Sequence, residues 1–553
     1  MKKKFILNGV LPLLLLVFSL NCMSQELPYI SQKKQLMVDG KPFIVLGGEL
    51  HNSSASSMHY MESRWEPLVN INLNTVLAPV SWELIEPREG VFDFSTLDAL
   101  VSKAREHNLK LVILWFGTWK NACSSYAPEW VRKDTKRFFR SEVNGEKLNH
   151  ISALCTEAST ADARAFAMTM KHIREIDSQQ RTIIAVQVQN ETGLRYGPFG
   201  SEVRWMHRDM CARANAAFSE QVPSALMDYL VKNKSRLTPE FLKIWERSGF
   251  RTRGNWTEIF LADAGEVFMA WHTASYVNKV AAAGKAEYPL PMFANVWLSF
   301  EEKFEKEISN TYPSGSPVIK MLPVWKFAAP GLDFIAPDIY RKASDIAMII
   351  ALYKQMDNAL FIPETHAANI TANALHAYGI GAICFSPFGI DNAGRVNSEV
   401  GAEIKRCYEF VENFSPYINE YAGTDKMTGF FGSKGTQDLE MGKYTVRIGY
   451  QEKASTDPNV NMNNGGIIIA VAEDEYIIAG YGSGFNVKFI SKPGTPKITE
   501  VLSAYELIYK DGTWVKDRRL NGDETGSGAA HHTELRFSSG KITVINAKVF
   551  SYE

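Results

Sequence analysis

The feature that most constrains this chain is a series of eight short, continuous apolar runs separated by helical or loop sequence. They read PFIVLGG (42–48), LNTVLAPV (73–80), LKLVILWFG (109–117), TIIAVQVQNE (182–191), PMFANVW (291–297), LDFIAPDIY (332–340), ALFIPETH (359–366) and IGAICFSPFG (380–389). Apolar residues at every position, rather than every second one, mean strands buried on both faces, as in a parallel sheet covered by helices. Amphipathic stretches predict those helices near 58–69, 97–107, 161–176, 343–356, 369–377 and 398–413, with a helix-rich insertion near 200–285. Eight such units predict an α/β fold, a closed (β/α)8 barrel over residues 28–415 whose chemistry sits at the C-terminal strand ends. Over 420–553 the texture changes to period-two patterns such as YTVRIGY and KITVINAKVF broken by Gly, Asn and Asp, which predicts a C-terminal β-sandwich-like domain.

The first residues carry a different message. MKKK followed by the short apolar run FILNGVLPLLLLVFSL predicts a secretory signal over 1–24 that is removed, leaving no transmembrane span and an exported protein, periplasmic or on the outer surface. Lipidation at Cys22 is the alternative reading of the same segment. The remaining cysteines, Cys123, Cys155, Cys211, Cys384 and Cys407, are odd in number and irregularly spaced, which argues against a disulfide framework. Neither a CxxC pair nor HExxH occurs, so no metal and no cofactor is expected. Lys+Arg total 60 against 61 Asp+Glu with no basic stripe, which removes nucleic acid and anionic membranes as partners. A neutral carbohydrate substrate is the expected partner, and 12 Trp with 21 Tyr supply rings that could stack on sugar faces. The oligomeric state stays open, a dimer included, and His531-His532 reads as part of a solvated loop.

On such a barrel the fourth run ends on Asn190-Glu191 and the seventh on Pro363-Glu364-Thr365-His366, so both carboxylates emerge on one rim. Strand ends three apart face one another across the mouth. Glycosidic hydrolysis needs such a pair, one group protonated to assist the leaving group and one ionised to attack the anomeric carbon. A separation of about 5–5.5 Å gives retention and about 6.5–9.5 Å inversion; retention is the expectation here. Asn190 would then hydrogen-bond the sugar 2-hydroxyl. The competing reading makes Glu191 an ion-pair partner and Glu364 a helix cap.

GGELH (47–51), NINLNTVLAPVSWELIEPREGVFDF (70–94) and QVQNETG (187–193) together resemble glycoside hydrolase family 35, the retaining β-galactosidases of clan A. The resemblance covers roughly 35–415 and implies Glu191 as acid/base and Glu364 as nucleophile. It is to a divergent branch with a C-terminal β-domain. Gln189 stands where the family has Glu, Thr192 where it has Tyr or Phe, Pro79 where a Tyr is usual, and WKNAC (119–123) replaces a Cys-Ala-Glu element. The resemblance therefore implies Trp119, Lys120 and Asn121 as substitute sugar contacts.

Position at the strand ends adds further substrate-binding candidates. Glu49 and His51 could hold hydroxyls or satisfy each other, Tyr340 could bond the nucleophile, Trp297 could stack on sugar, and Phe388 could form an apolar platform. The resulting expectation is an exo-acting retaining β-galactosidase acting on oligosaccharides or plant cell-wall side chains. The alternatives are a retaining clan A glycosidase of other specificity, such as a β-glucosidase, β-mannosidase or α-L-arabinopyranosidase, or a non-catalytic carbohydrate-binding barrel.

Overall fold

The computed structural model describes residues 26–553 apart from 197–207, 299–311, 342, 356, 393–395, 452–462, 495–497, 521–523, 526–533 and 538–539. The signal expected over 1–24 and His531-His532 lie outside the described residues.

The eight apolar runs form parallel strands: β1 (Gly47–Glu49), β2 (Thr75–Ser81), β3 (Lys110–Phe116), β4 (Ile183–Val188), β5 (Met292–Trp297), β6 (Phe334–Asp338), β7 (Phe361–Thr365) and β8 (Cys384–Pro387). Strands β1 to β6 hydrogen-bond in sequence order and β7 pairs with β8. The ring closes through parallel bridges from Ile339 to Thr365, Val45 to Cys384 and Glu49 to Phe388. Inside, Leu77, Val112, Leu114, Ile184, Phe293, Phe334 and Phe361 form one apolar cluster. Leu36 and Val38 of a small N-terminal antiparallel sheet join that cluster, so the barrel interior is packed core rather than a pore.

The covering helices follow from local sequence: α1 (Trp65–Asn70), α2 (Ser95–Glu106), α3 (Thr156–Asp177), α4 (Ala264–Glu287), α5 (Leu322–Ala328), α6 (Ala343–Tyr353), α7 (Thr371–Ile380) and α8 (Glu399–Tyr421). In α2 the buried residues Leu97, Leu100, Val101 and Ala104 recur at helical spacing, and burying each large one contributes about 1.5–3 kcal/mol. It ends where Asn108 adopts a left-handed φ of 54° and the Leu109 N–H donates to the Ala104 carbonyl, a helix stop that leads straight into β3. At the end of α3 the buried Asp177 carboxylate accepts the N–H groups of Thr182 (2.9 Å) and Ile183 (2.7 Å). That contact sets where β4 begins, and so where Glu191 emerges.

Two boundaries differ from the sequence reading. Helices Ala212–Ser219, Ser224–Lys232, Pro239–Glu246 and Trp256–Phe260 form the insertion, but α4, read as its last helix, is the barrel's own crossover and packs along α3. Its small residues permit that seat: a Cβ at Gly284 would lie 2.2 Å from the Phe166 ring. Helix α8 runs on to Tyr421, through Pro416, past the expected end near 413. No helix among the described residues is long and apolar enough to cross a membrane.

Beyond α8 lie two antiparallel sheets. One has six strands, in the order Met427–Gly432, Asn464–Ala472, Glu475–Tyr481, Thr543–Tyr552, Ile498–Lys510 and Thr513–Arg519. The other has four, Gly435–Met441, Tyr444–Tyr450, Phe485–Ser491 and Glu534–Phe537. Phe430, Val446, Ile468, Ile478, Phe489 and Ile545 belong to the core between them. The larger sheet also docks on the barrel, where α7 lies against its first two strands. The approach is close because two sheet positions lack a Cβ: one at Gly429 would sit 2.2 Å from the His376 carbonyl oxygen, and one at Gly465 would sit 2.0 Å from that of Ala372. Gly429→Ala is therefore expected to cost about 1–3 kcal/mol of stability through overpacking, read as a lower melting temperature. An unchanged melt would show that the seat yields without cost.

Candidate active site

At the C-terminal ends of the strands a cavity of about 550 Å³ is lined by Asn52, Lys120, Asn121, Glu191, Trp297, Leu298, Asp338, Tyr340, Arg341, Glu364, His366 and Phe388. All of these residues belong to the barrel.

The chain turns sharply at the end of β4. Gln189 and Glu191 both adopt left-handed backbone, with φ of 65° and 45°, a strained geometry for residues with side chains. Hydrogen bonds hold it. The Asn190 N–H donates to the Trp119 carbonyl (3.2 Å), the Glu191 N–H donates to Asn295 Oδ1 (2.8 Å), and Gln189 Oε1 accepts the Trp119 N–H (2.9 Å). Beneath them Asp162 of α3 accepts from Trp115 Nε1 (2.9 Å), Thr118 N (3.0 Å), Thr118 Oγ1 (2.7 Å) and Gln189 Nε2 (2.6 Å). Burial raises the Asp162 pKa while those donors oppose the rise. A carboxylate at position 189 would press a second acid on this one; the Gln amide donates instead, which gives the sequence departure a physical reason.

Glu191 and Glu364 meet across the mouth. One carboxylate oxygen from each of Glu191, Asp338 and Glu364 lies within 4.8 Å of the others. Glu364 Oε1 accepts from Asn190 Nδ2 and Asn295 Nδ2, each at 3.3 Å, and its Oε2 accepts from the Tyr340 hydroxyl at 2.9 Å. Glu191 Oε2 accepts from Asn121 Nδ2 at 2.5 Å. Burial first and the Glu364 charge second push the Glu191 pKa up to about 7, against the pull of Lys120, Asp338 and Asn121. Burial and the Glu364 charge likewise raise the Tyr340 hydroxyl. The three clustered carboxyls are near enough to chelate a cation, but amide and hydroxyl donors already point at their oxygens and a cation would have to displace them.

The other expected residues divide. Lys120, Asn121, Trp297, Tyr340 and Phe388 line the cavity. Lys120 is buried and donates to Asn190 Oδ1 at 2.9 Å, which turns the amide N–H toward Glu364. Trp119 does not reach the cavity wall: it is fully buried between His150 and Tyr276, with its indole N–H on the Ile151 carbonyl, so the expectation of a sugar contact is corrected to one of support. Glu49 is fully buried too, with neither carboxylate oxygen hydrogen-bonded. Burial and then the Glu364 charge hold it well above the usual carboxylate range. Its expected partner His51 turns away to Asp391 (3.0 Å) and packs edge-on against Phe388.

Asp338, Asn295, Arg341 and His366 were missed by sequence reasoning. Asn295 and Asp338 sit inside and at the end of apolar strand runs, FANVW and FIAPD; a lone polar residue in a doubly buried strand is the signal that could have found them.

The chain is similar to known proteins over parts of its length. Residues 54–221, which include Glu191, match the family model described as "Beta-galactosidase", that of glycoside hydrolase family 42. Residues 404–531 match a domain of unknown function. The match is thus to family 42 in place of the family 35 that the motifs resemble, both in clan A. A beta-galactosidase from Xanthomonas manihotis is 28% identical over 197 residues, 34% of this chain and 30% of that protein. Human beta-galactosidase-1-like protein 3 is 29% identical over 184 residues, 32% of this chain and 25% of that protein. The matched segment thus spans less than a third of either relative. Among solved structures, a catalytic mutant of a GH42 beta-galactosidase from G. stearothermophilus superposes with a TM-score of 0.51 at 10% identity, over 91% of this chain and 98% of that one, which shows the shared fold. Over residues 54–221 the chain is thus similar to a glycoside hydrolase domain of the beta-galactosidase type.

The raised pKa of Glu191 has a measurable effect on stability. Its folded-state pKa of about 7 lies above the ordinary 4.5, so the native state holds a proton that the unfolded chain releases between those values. Stability is therefore full below pH 4.5 and falls as pH rises through 7, by on the order of 3 kcal/mol for this group. Glu191→Gln is expected to raise the melting temperature at pH 8 and to change it little at pH 4.5; an equal effect at both pH values would place the Glu191 pKa near normal.

Proposed function

We propose that the protein is an exo-acting retaining β-galactosidase that removes terminal β-galactosyl residues from oligosaccharides or cell-wall side chains. One observation carries the reading: two buried carboxyls, Glu191 and Glu364, face each other within 4.8 Å on the floor of a cavity at the barrel's strand ends. The beta-galactosidase family match over 54–221 supports the choice of sugar.

In this scheme Glu364 attacks the anomeric carbon. Tyr340, Asn190 and Asn295 donate to its two oxygens and aim them. Glu191, poised near neutrality, gives its proton to the departing oxygen. Once Glu364 is esterified its charge is gone, and with it the second-largest influence holding the Glu191 pKa up, so Glu191 becomes the base that draws a proton from water. Asn190, oriented by Lys120, lies beside the nucleophile where a sugar 2-hydroxyl would sit. Trp297 and Phe388 offer ring surface on the wall for an apolar sugar face.

Glu364→Ala is expected to bring hydrolysis of a nitrophenyl β-galactoside to background, and Glu191→Ala to lower kcat/KM by about 10²–10⁴-fold. NMR of the first product should show β-galactose. First release of the α-anomer would replace retention by inversion, and cleavage of another glycoside alone would move the specificity.

A further inference from the structure

Four carboxyl groups meet at the floor of the cavity, and the scheme above employs two. Asp338 is the one of the remaining pair that lines the cavity, at 3% exposure. Its Oδ2 accepts from Asn295 Nδ2 at 2.7 Å, while its Oδ1 is buried with no hydrogen-bond partner. The orientation of Asn295 is not free. Its Oδ1 must accept the Glu191 backbone N–H, so its NH2 must face Asp338 and Glu364. Asp338 Oδ2 is thereby committed as an acceptor, and Oδ1 is the atom left to carry a proton.

The surroundings favour that proton. Asp338 at the end of β6 faces Glu191 after β4, Glu364 of β7 and Glu49 of β1, with the buried Lys120 after β3 as the opposing charge. Tyr340, Arg341 and His366 complete the wall, Arg341 lying 3.8 Å from Asp345. Burial first, then the charges of Glu364, Glu191 and Glu49, hold the Asp338 carboxyl well above the usual range. Four ionised carboxylates beside one lysine in a water-poor pocket would repel without compensation.

We propose that Asp338 is a positioning residue: a neutral carboxylic acid whose Oδ1 hydroxyl donates a hydrogen bond to the Glu191 carboxylate formed during turnover. The inference rests on the glycosidase reading given above. In the first step the Glu191 O–H bond breaks and its proton goes to the glycosidic oxygen, the C1–O bond breaks, and a Glu364 oxygen bonds to C1. Glu191 is then an anion in a buried site, one carboxyl oxygen of Asp338 lies within 4.8 Å of one of its own, and the Asp338 hydroxyl donates to it. In the second step Glu191 takes a proton from the attacking water while the oxygen of that water displaces Glu364 from C1. Asp338 keeps its own proton throughout, so no further reactant is required.

The test compares Asp338→Asn and Asp338→Ala with the wild-type protein through the pH profile of kcat/KM on the aryl β-galactoside. Asn mimics the neutral acid, with one acceptor for Asn295 and one donor for Glu191; Ala removes the donor. The Ala variant should lose kcat/KM and move the basic limb up by about one pH unit, the size of one hydrogen bond to an ionised carboxylate. The Asn variant should recover most of the activity and return the limb toward its original position. A basic limb that falls in both variants would mean that Asp338 is ionised, and a limb unmoved in both would mean that it does not act through Glu191; either overturns the proposal. An infrared measurement of protonated carboxyl at pH 8 separates this failure from failure of the glycosidase reading. If no glycoside is turned over, that band still decides: its loss of intensity in Asp338→Asn supports the neutral acid, and an unchanged band overturns it.

Discussion

Closure of the barrel between β8 and β1 is the constraint on which the rest of the molecule depends. Strand β1 is three residues long and reaches both neighbours because it begins with two glycines. A Cβ at Gly48 would lie 2.6 Å from the Leu73 side chain and 2.7 Å from that of Ile390; at Gly47 it would meet Leu77 and Ser386 at 3.1 and 3.2 Å. Without side chains there, β1 can sit between β2 and β8, and the bridges from Val45 to Cys384 and from Glu49 to Phe388 complete the ring. A closed ring has one set of C-terminal strand ends, so polar residues that end separate strands are forced into one mouth.

The chemistry follows from that crowding. Glu49, Glu191, Asp338 and Glu364 arrive from β1, β4, β6 and β7 in a region from which water is largely excluded, with Lys120 buried among them. Burial raises the pKa of Glu49, Glu191 and Asp338, and the four carboxyls differ in the donors they meet. Their hydrogen bonds sort them: Glu364 receives two amides and a tyrosine hydroxyl, Glu191 one amide, Asp338 one amide, and Glu49 none. A donor favours the ionised form of the carboxyl it meets, and the four meet a gradient of donors. The amides that create it are held by residues that touch no substrate. Lys120 turns Asn190, the Glu191 backbone turns Asn295, and Asp162 holds the loop that carries Asn121 through Thr118 and Gln189.

Much of this was legible in the chain. The eight apolar runs announced the barrel because a strand covered on both faces has no polar positions to spare. The Asn190-Glu191 and Glu364 pair announced itself because both end such runs. Legibility failed where packing decides. Trp119 follows a strand end as a sugar-stacking residue would, yet its ring turns inward against His150 and Tyr276. Helix α4 has the length and pattern of an insertion helix, yet its small residues seat it along α3. Asn295 and Asp338 were present as single polar letters in apolar runs, with nothing local to say that they would meet.

By itself, then, the sequence determined the order of strands and helices, the change to a β-domain near residue 420, and which strand ends carry carboxylates, because these depend on periodicity and on residue type along the chain. Only the tertiary structure decided which of those carboxylates share a charge environment, which donors each one meets, and which aromatic rings face the cavity. The reason is physical. Hydrophobic period is a property of neighbours in sequence, whereas pKa, hydrogen-bond donation and side-chain direction are properties of neighbours in space, and in this fold those neighbours come from strands more than a hundred residues apart in the chain.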